Sequence, residues 1–271
     1  MRQSRLAQIA ELARTPGVRS VVIDGARFAS PASPEGDATF FTCFCPDCQA
    51  KARQLGMNGA RMQKAVAALY AAAYHRGVLR LDDCRDGLCD WLRFRAACIT
   101  EFLHDFHLTV KTVNPRLKTG IFIFAPTLAL LVGQDYRALG FLDTFVPMIY
   151  RHYRQPKGPA CLDHEYRAIG RLINQATDPV RQVLLDLAAA IGLQFPDDTA
   201  GIFPPVAIER ETALARKLIG SRELCPIILL DDDRLPESIA AARRGGADDV
   251  GFFAYAPEQW HVLRAAKDNA I

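Results

Sequence analysis

Three cysteines stand within six positions of the stretch FFTCFCPDCQAKA, at Cys43, Cys45 and Cys48. Thiolates are good zinc ligands, and a structural zinc takes four donors, often all sulfur. A tight loop carrying three sulfurs is therefore a candidate structural zinc site that needs one more ligand. Cys84 or Cys89, in DDCRDGLCD, is the natural source of the fourth. Two other readings stay open: reduced, partly buried thiols that pack a loop, or a disulfide from one of the three to Cys84 or Cys89. Taken as three, the Cys-x-Cys-x-x-Cys spacing is neither the lone CxxC of thioredoxin nor the CxxxCxxC of radical enzymes. No HxH or HExxH motif occurs, so a catalytic zinc is not expected. Cys98, Cys161 and Cys225 read as ordinary buried residues.

Carboxylates that follow apolar runs form the second set of candidates. Asp24 closes VRSVVID and is followed by Gly25 and Arg27; Asp231, Asp232 and Asp233 close CPIILLDDD. The plain alternatives are a turn aspartate before Gly25 and helix-start acids ahead of Pro236 and Glu237. Arg27 is placed to pair with Asp24 or with a ligand hydroxyl. Tyr150, His152 and Tyr153 follow the run DTFVPMI, and Gln134, Asp135 and Tyr136 follow a Gly in GQDYRAL.

The elements that must carry these groups alternate. The pattern predicts helices over 3–14, 46–56, 60–76, 90–113, 134–139, 163–176, 179–191, 205–219, 236–245 and 257–267. Long loops are expected over 29–42 and 82–90. Buried strands are expected in 18–28, 118–126, 142–152, 225–233 and 247–256, because runs of Val, Ile and Phe without alternation suit a parallel sheet covered on both faces. Strand and helix in turn, without hairpin signals, give an α/β protein. No GxGxxG follows the first strand, which argues against a dinucleotide-binding doubly wound sheet. A (β/α)8 TIM barrel is the preferred architecture.

Bulk properties exclude several classes. The chain has 271 residues, 50% of them hydrophobic, and 33 Lys and Arg set against 30 Asp and Glu give a net charge of +3. That balance lacks the concentrated basic stripe of a nucleic-acid binder; RHYRQPKGP (151–159) is locally basic but short. No run of 18 apolar residues exists, so no membrane partner is expected. The first 17 residues read as an amphipathic helix without an apolar signal region, which favours a cytoplasmic protein. The oligomeric state is not encoded in any visible pattern.

The pieces IDGARFA, DWLRFRAACITEFL, GQDYRAL, DTFVPMIYRH and GADDVGFFAY, in this order, resemble a family of bacterial glycosyl-hydrolase-like TIM barrels whose fourth strand ends in an Asp-x-x-Arg-Phe-like motif. The resemblance covers about residues 15–260. It implies that the visible strands are barrel strands four to eight, and that 1–271 is a single TIM-barrel-like domain lacking its N-terminal strands. A lost N-terminus would leave secretion open. The resemblance further implies a glycoside hydrolase that acts on a carbohydrate. Two carboxyl groups are then needed at the C-terminal ends of the strands. Asp24 and Asp231 are the candidates, with Arg27, Gln134, Asp135, Tyr136, Tyr150 and His152 as substrate contacts. A non-catalytic carbohydrate-binding barrel is the alternative, and a metal-dependent hydrolase or lyase a third reading. The Cys-x-Cys-x-x-Cys loop is similar to that of some family 42 β-galactosidases, where such a loop helps hold a structural zinc. The implied ligand set is Cys43, Cys45, Cys48 and Cys84, with no cofactor for catalysis.

Overall fold

A computed structural model describes residues 2–32, 37–75, 81–153, 161–175 and 203–253, with 181–182, 185–186, 189, 261 and 264. Helix α1 (Arg2–Arg14) leads to strand β1 (Ser20–Ile23). Three helices follow, α2 (Asp37–Phe40), α3 (Pro46–Gln54) and α4 (Gly59–His75), then the long α5 (Leu81–Val113). Next come β2 (Lys118–Phe124), the short α6 (Pro126–Ala129) with a 3-10 turn over Leu130–Val132, β3 (Thr144–Met148) and α7 (Leu162–Gln175). The chain continues with α8 (Val206–Ile219), β4 (Glu223–Leu224), β5 (Ile227–Leu229), α9 (Leu235–Arg244) and β6 (Gly251–Phe253).

The strands form one parallel sheet in the order β1-β2-β3-β5-β6, with β4 also pairing β3. Ser20 pairs with Lys118, Gly120 with Thr144, Met148 with Ile227, and Ile227 with Gly251. Strand order follows chain order without reversal, as it must in a barrel wall; a doubly wound sheet turns back at a switch point. The described part is thus a parallel half-barrel. The sheet packs tightly at Gly120, where a Cβ would come within 2.9 Å of the Thr144 carbonyl oxygen. Ile121, Ile123 and Phe145 of the sheet, and Leu103, Phe106 and Val110 of α5, are fully buried in one apolar core.

Three expectations need correction. The stretch 82–90 is not a loop: α5 runs through it, and its charged residues belong to helical turns. Gly87, which reads as a turn residue, is instead a packing contact with α4. A Cβ there would meet the Ala65 Cβ at 2.6 Å and the Arg61 carbonyl oxygen at 2.9 Å. The helix expected at 134–139 sits earlier, over Pro126–Ala129, because Pro126 favours a helix start. Gly133, at φ 80°, ends that segment. The strand expected over 225–233 is confined to Ile227–Leu229, and a short β4 precedes it at Glu223–Leu224; Pro226 between them has no N–H to give to the ladder. The expected helices 179–191 and 257–267 lie largely outside the described residues, as does much of RHYRQPKGP.

Candidate functional site

Asp24 lies immediately beyond β1, where Gly25 at φ 72° turns the chain away from the sheet. Its Oδ1 accepts the Gly25 N–H at 2.6 Å and faces Arg27 Nη1 at 3.4 Å. The carboxylate is still two-thirds open, with 66% of its side chain exposed. Arg27 lies over the Phe124 ring, 5.2 Å from its centroid, so the end of β2 supports the guanidinium. The loop is anchored by Gln134, whose amide donates to the Ala26 carbonyl at 3.1 Å and accepts from Phe124 N–H at 2.9 Å.

That contact decides what Gln134 does. It is fully buried and its amide is engaged by main chain, so it holds the Asp24 loop. Tyr136 is likewise interior: its hydroxyl donates to the Phe124 carbonyl at 2.7 Å and its ring stacks on Phe145. Asp135 caps its own turn by accepting the Arg137 N–H at 3.0 Å. Gln134 and Tyr136 thus support the Asp24 loop from the interior, while Asp135 is half-buried at its own turn.

The end of β3 supplies Tyr150, Arg151 and His152. Tyr150 is buried, with its ring 5.1 Å from that of Phe253. Burial first, and Asp24 second, push its hydroxyl pKa well above the ordinary value, while Arg27 works the other way. Asp24, Arg27 and Tyr150 thus share one electrostatic neighbourhood at the C-terminal end of the sheet. His152 is half-buried, and its Nδ1 has no hydrogen-bond partner among the described residues.

Arg151 was not visible as a key residue in sequence, yet it organises this end of the sheet. Its guanidinium grips Asp232 through both carboxylate oxygens, with Nε to Oδ2 at 2.9 Å, and reaches the Phe203 carbonyl at 2.6 Å. Asp232 also accepts the Arg234 N–H at 2.8 Å and the Ser238 hydroxyl at 2.9 Å. Burial alone would raise its pKa, but Arg151 and these donors outweigh it and hold the carboxylate ionised below the usual range. Asp233 takes a second bond from Arg151. Of the three aspartates after β5, Asp232 and Asp233 are thus tied to Arg151, while Asp231 is half-buried at the strand's end.

A further carboxylate stands at the start of α7. Glu165 is buried, accepting the Ser30 hydroxyl at 2.5 Å and the Ala32 N–H at 3.2 Å. Burial pushes its pKa up to about 7, against the smaller pull of Ser30, Ala32 and Arg27. In sequence it looks like any acid in a first helical turn; only the strap from Phe28 to Ala32 folding over it makes it unusual. That strap is held from its other side by Arg95, which is fully buried, donates to the Ala29 carbonyl at 2.8 Å, and lies against the rings of Phe28, Phe40 and Trp91.

The strap leads into the cysteine loop. The sulfurs of Cys43, Cys45 and Cys48 lie within 4.8 Å of one another and can hold a metal ion. Cys45 caps α3 and is exposed, while Cys43 and Cys48 are half-buried. The Cys48 N–H, then the Cys43 and Cys48 side chains, lower the Cys45 pKa; burial first, then the neighbouring thiols, raise that of Cys48. Cys84 does not join them. It is buried in the core on α5, because the segment expected to loop back with it is helical. Among the described residues no fourth Cys, His, Asp or Glu completes the group. Burial raises Cys98, brings Cys225 to about 11 and takes Cys161 to about 12; Cys161 is buried as expected, whereas Cys98 and Cys225 are half-buried.

The opposite end of the sheet carries a groove lined by Lys118, Asp143, Arg222, Glu223 and Asp248. Its charges are paired: Asp143 with Lys111 at 3.0 Å, Glu223 with Lys118 at 2.9 Å and Asp248 with Arg216 at 2.6 Å. Active sites of parallel barrels lie at the other end.

No family model matches the chain, and no curated protein does. Among solved structures, it is similar to the PgaB (BpsB) glycoside hydrolase domain from Bordetella bronchiseptica, at 12% identity and a TM-score of 0.50. The likeness covers 98% of this chain and 60% of that one, so the chain spans less than two thirds of its neighbour's length. At this identity the likeness is one of fold. No described helix is long and apolar enough to cross a membrane.

Proposed function

We propose that this chain is the C-terminal part of a glycoside-hydrolase-like (β/α)8 barrel, strands four to eight, and acts on a carbohydrate by carboxylate acid/base catalysis. The observation that carries this reading is Asp24: an exposed carboxylate at the C-terminal end of β1, paired with Arg27. The half-barrel fold shared with a glycoside hydrolase domain supports the substrate class. Asp231 is the proposed second carboxylate, and Arg27, Tyr150 and His152 surround the sugar. Zinc held by Cys43, Cys45 and Cys48 has a structural role, pinning the loop that follows the strap. The partner is a carbohydrate, with neither nucleic acid nor membrane.

A second reading has its own support. Asp232 and Asp233 are engaged by Arg151 and Glu165 is covered by the strap, so Asp24 has few open carboxylates to work with. Hydrolysis needs a partner at about 5–9.5 Å; a face without one binds sugar without cleaving it.

The test is a panel of oligosaccharides assayed for thermal stabilisation and for cleavage, with Asp24→Asn alongside. Hydrolysis predicts a glycan that raises the melting temperature and is cut by the parent, with turnover falling at least about a hundredfold in the variant. Stabilisation without cleavage supports the binding reading. No response from any glycan removes both.

A further inference from the structure

The cysteine triad contains a pair that the fold sets apart. Within Cys45-Pro46-Asp47-Cys48, Cys45 is the N-cap of α3, Pro46 opens the first turn and Cys48 stands inside it. Cys45 is exposed and Cys48 half-buried, and their sulfurs lie within 4.8 Å. An accessible thiol at a helix start with a second thiol one turn in is the geometry of thiol–disulfide exchange: one sulfur attacks, the other resolves. The third cysteine, Cys43, disguises this arrangement in the sequence. Helix α3 is nine residues long, and the pair stands at its start.

We infer that Cys45 and Cys48 form a reversible dithiol–disulfide couple that exchanges with small disulfides of the glutathione class. Cys45, as its thiolate, attacks one sulfur of oxidised glutathione; the S–S bond breaks and one glutathione leaves as thiolate. Cys48 then gives up its proton to solvent, its sulfur attacks Cys45 in the mixed disulfide, and the second glutathione leaves. The protein loses two electrons and two protons, and the two glutathiones gain them. The disulfide removes two of the three metal-capable sulfurs, so metal binding and oxidation exclude each other. The inference rests on the sulfur geometry and is independent of the carbohydrate reading.

The test uses the full chain, freed of metal by a chelator and equilibrated in glutathione buffers of stepped oxidised-to-reduced ratio. Remaining thiols are alkylated and the disulfides mapped by peptide mass spectrometry. A Cys45–Cys48 disulfide that forms and disappears as the ratio is raised and lowered is the expected result. Cys48→Ser should trap glutathione on Cys45, whereas Cys45→Ser should leave Cys48 unmodified and Cys43→Ser should keep the disulfide. Circular dichroism shows that each variant is folded. The inference is overturned if Cys45 and Cys48 remain alkylatable in the most oxidising buffer. It is equally overturned if the main product joins Cys43 to either of them and is lost in Cys43→Ser.

Discussion

Arg151 and Asp232, 81 residues apart in sequence, form a buried two-pronged ion pair between the end of β3 and the turn that opens α9. Each is at most 2% exposed at its side chain. The pair ties two successive strand ends together beneath the face where Asp24 and Tyr150 lie. A charge buried this deeply is tolerated only while its partner and hydrogen bonds are present.

Removing one partner should therefore be costly. Asp232→Asn or Arg151→Met is expected to lower unfolding free energy by about 3–5 kcal/mol, read from the denaturant midpoint. The double replacement by well-matched apolar residues should cost much less than the sum of the two. A loss under about 1 kcal/mol for either single variant would contradict the buried pair.

Glu165 should leave a signature in pH dependence. Its folded pKa is raised to about 7, above the ordinary carboxyl value of 4.5, so the folded state holds the proton more tightly. Its favourable contribution is fully present below about pH 4.5 and is lost as pH climbs through about 7. Comparing the parent with Glu165→Gln by urea unfolding at stepped pH isolates that contribution. The parent should lose stability relative to the variant between those pH values, by on the order of 3 kcal/mol. Parallel curves would show that the buried carboxyl is not perturbed.

Gly87→Ala tests the crossing of α4 and α5. In an exposed helix the change would stabilise by about 0.5–1 kcal/mol. Here the added methyl meets Ala65 and the Arg61 carbonyl, a backbone atom that does not swing aside. A destabilisation of roughly 1–3 kcal/mol is expected, with a lowered melting temperature as the simplest readout.

Zinc should raise the melting temperature of the reduced protein. At a hundredfold excess over Kd the gain is about 2.7 kcal/mol. Cys43→Ser, Cys45→Ser and Cys48→Ser should each remove most of that shift. Cys84→Ser should keep it while lowering the baseline stability, because Cys84 is a core residue outside the sulfur group. A Cys84→Ser variant that no longer responds to zinc would restore it as a ligand.

Much of this protein is readable in one dimension. Buried runs such as KTGIFIF announce parallel strands because both faces of such a sheet are covered, and the described strands other than β4 occur where those runs stand. Asp24-Gly25 and the cysteine cluster are legible for a similar reason: their partners are near in sequence, so spacing carries the geometry. Apart from the helix start at Pro126 and the break at Pro226, what stays hidden has one cause. DDCRDGLCD looks like a loop until α4 is laid against Gly87, and Cys84 looks like a ligand until the helix turns it into the core. The anchoring role of Gln134 is hidden until its amide meets the Ala26 carbonyl, 108 residues away. Arg151 and Glu165 are ordinary letters until Asp232 and Ser30 are brought to them across 81 and 135 residues. Hydrophobic period and local turn chemistry are properties of neighbours along the chain and can be read there. Desolvation and the partner that offsets it are properties of neighbours in space, and only the folded chain decides them.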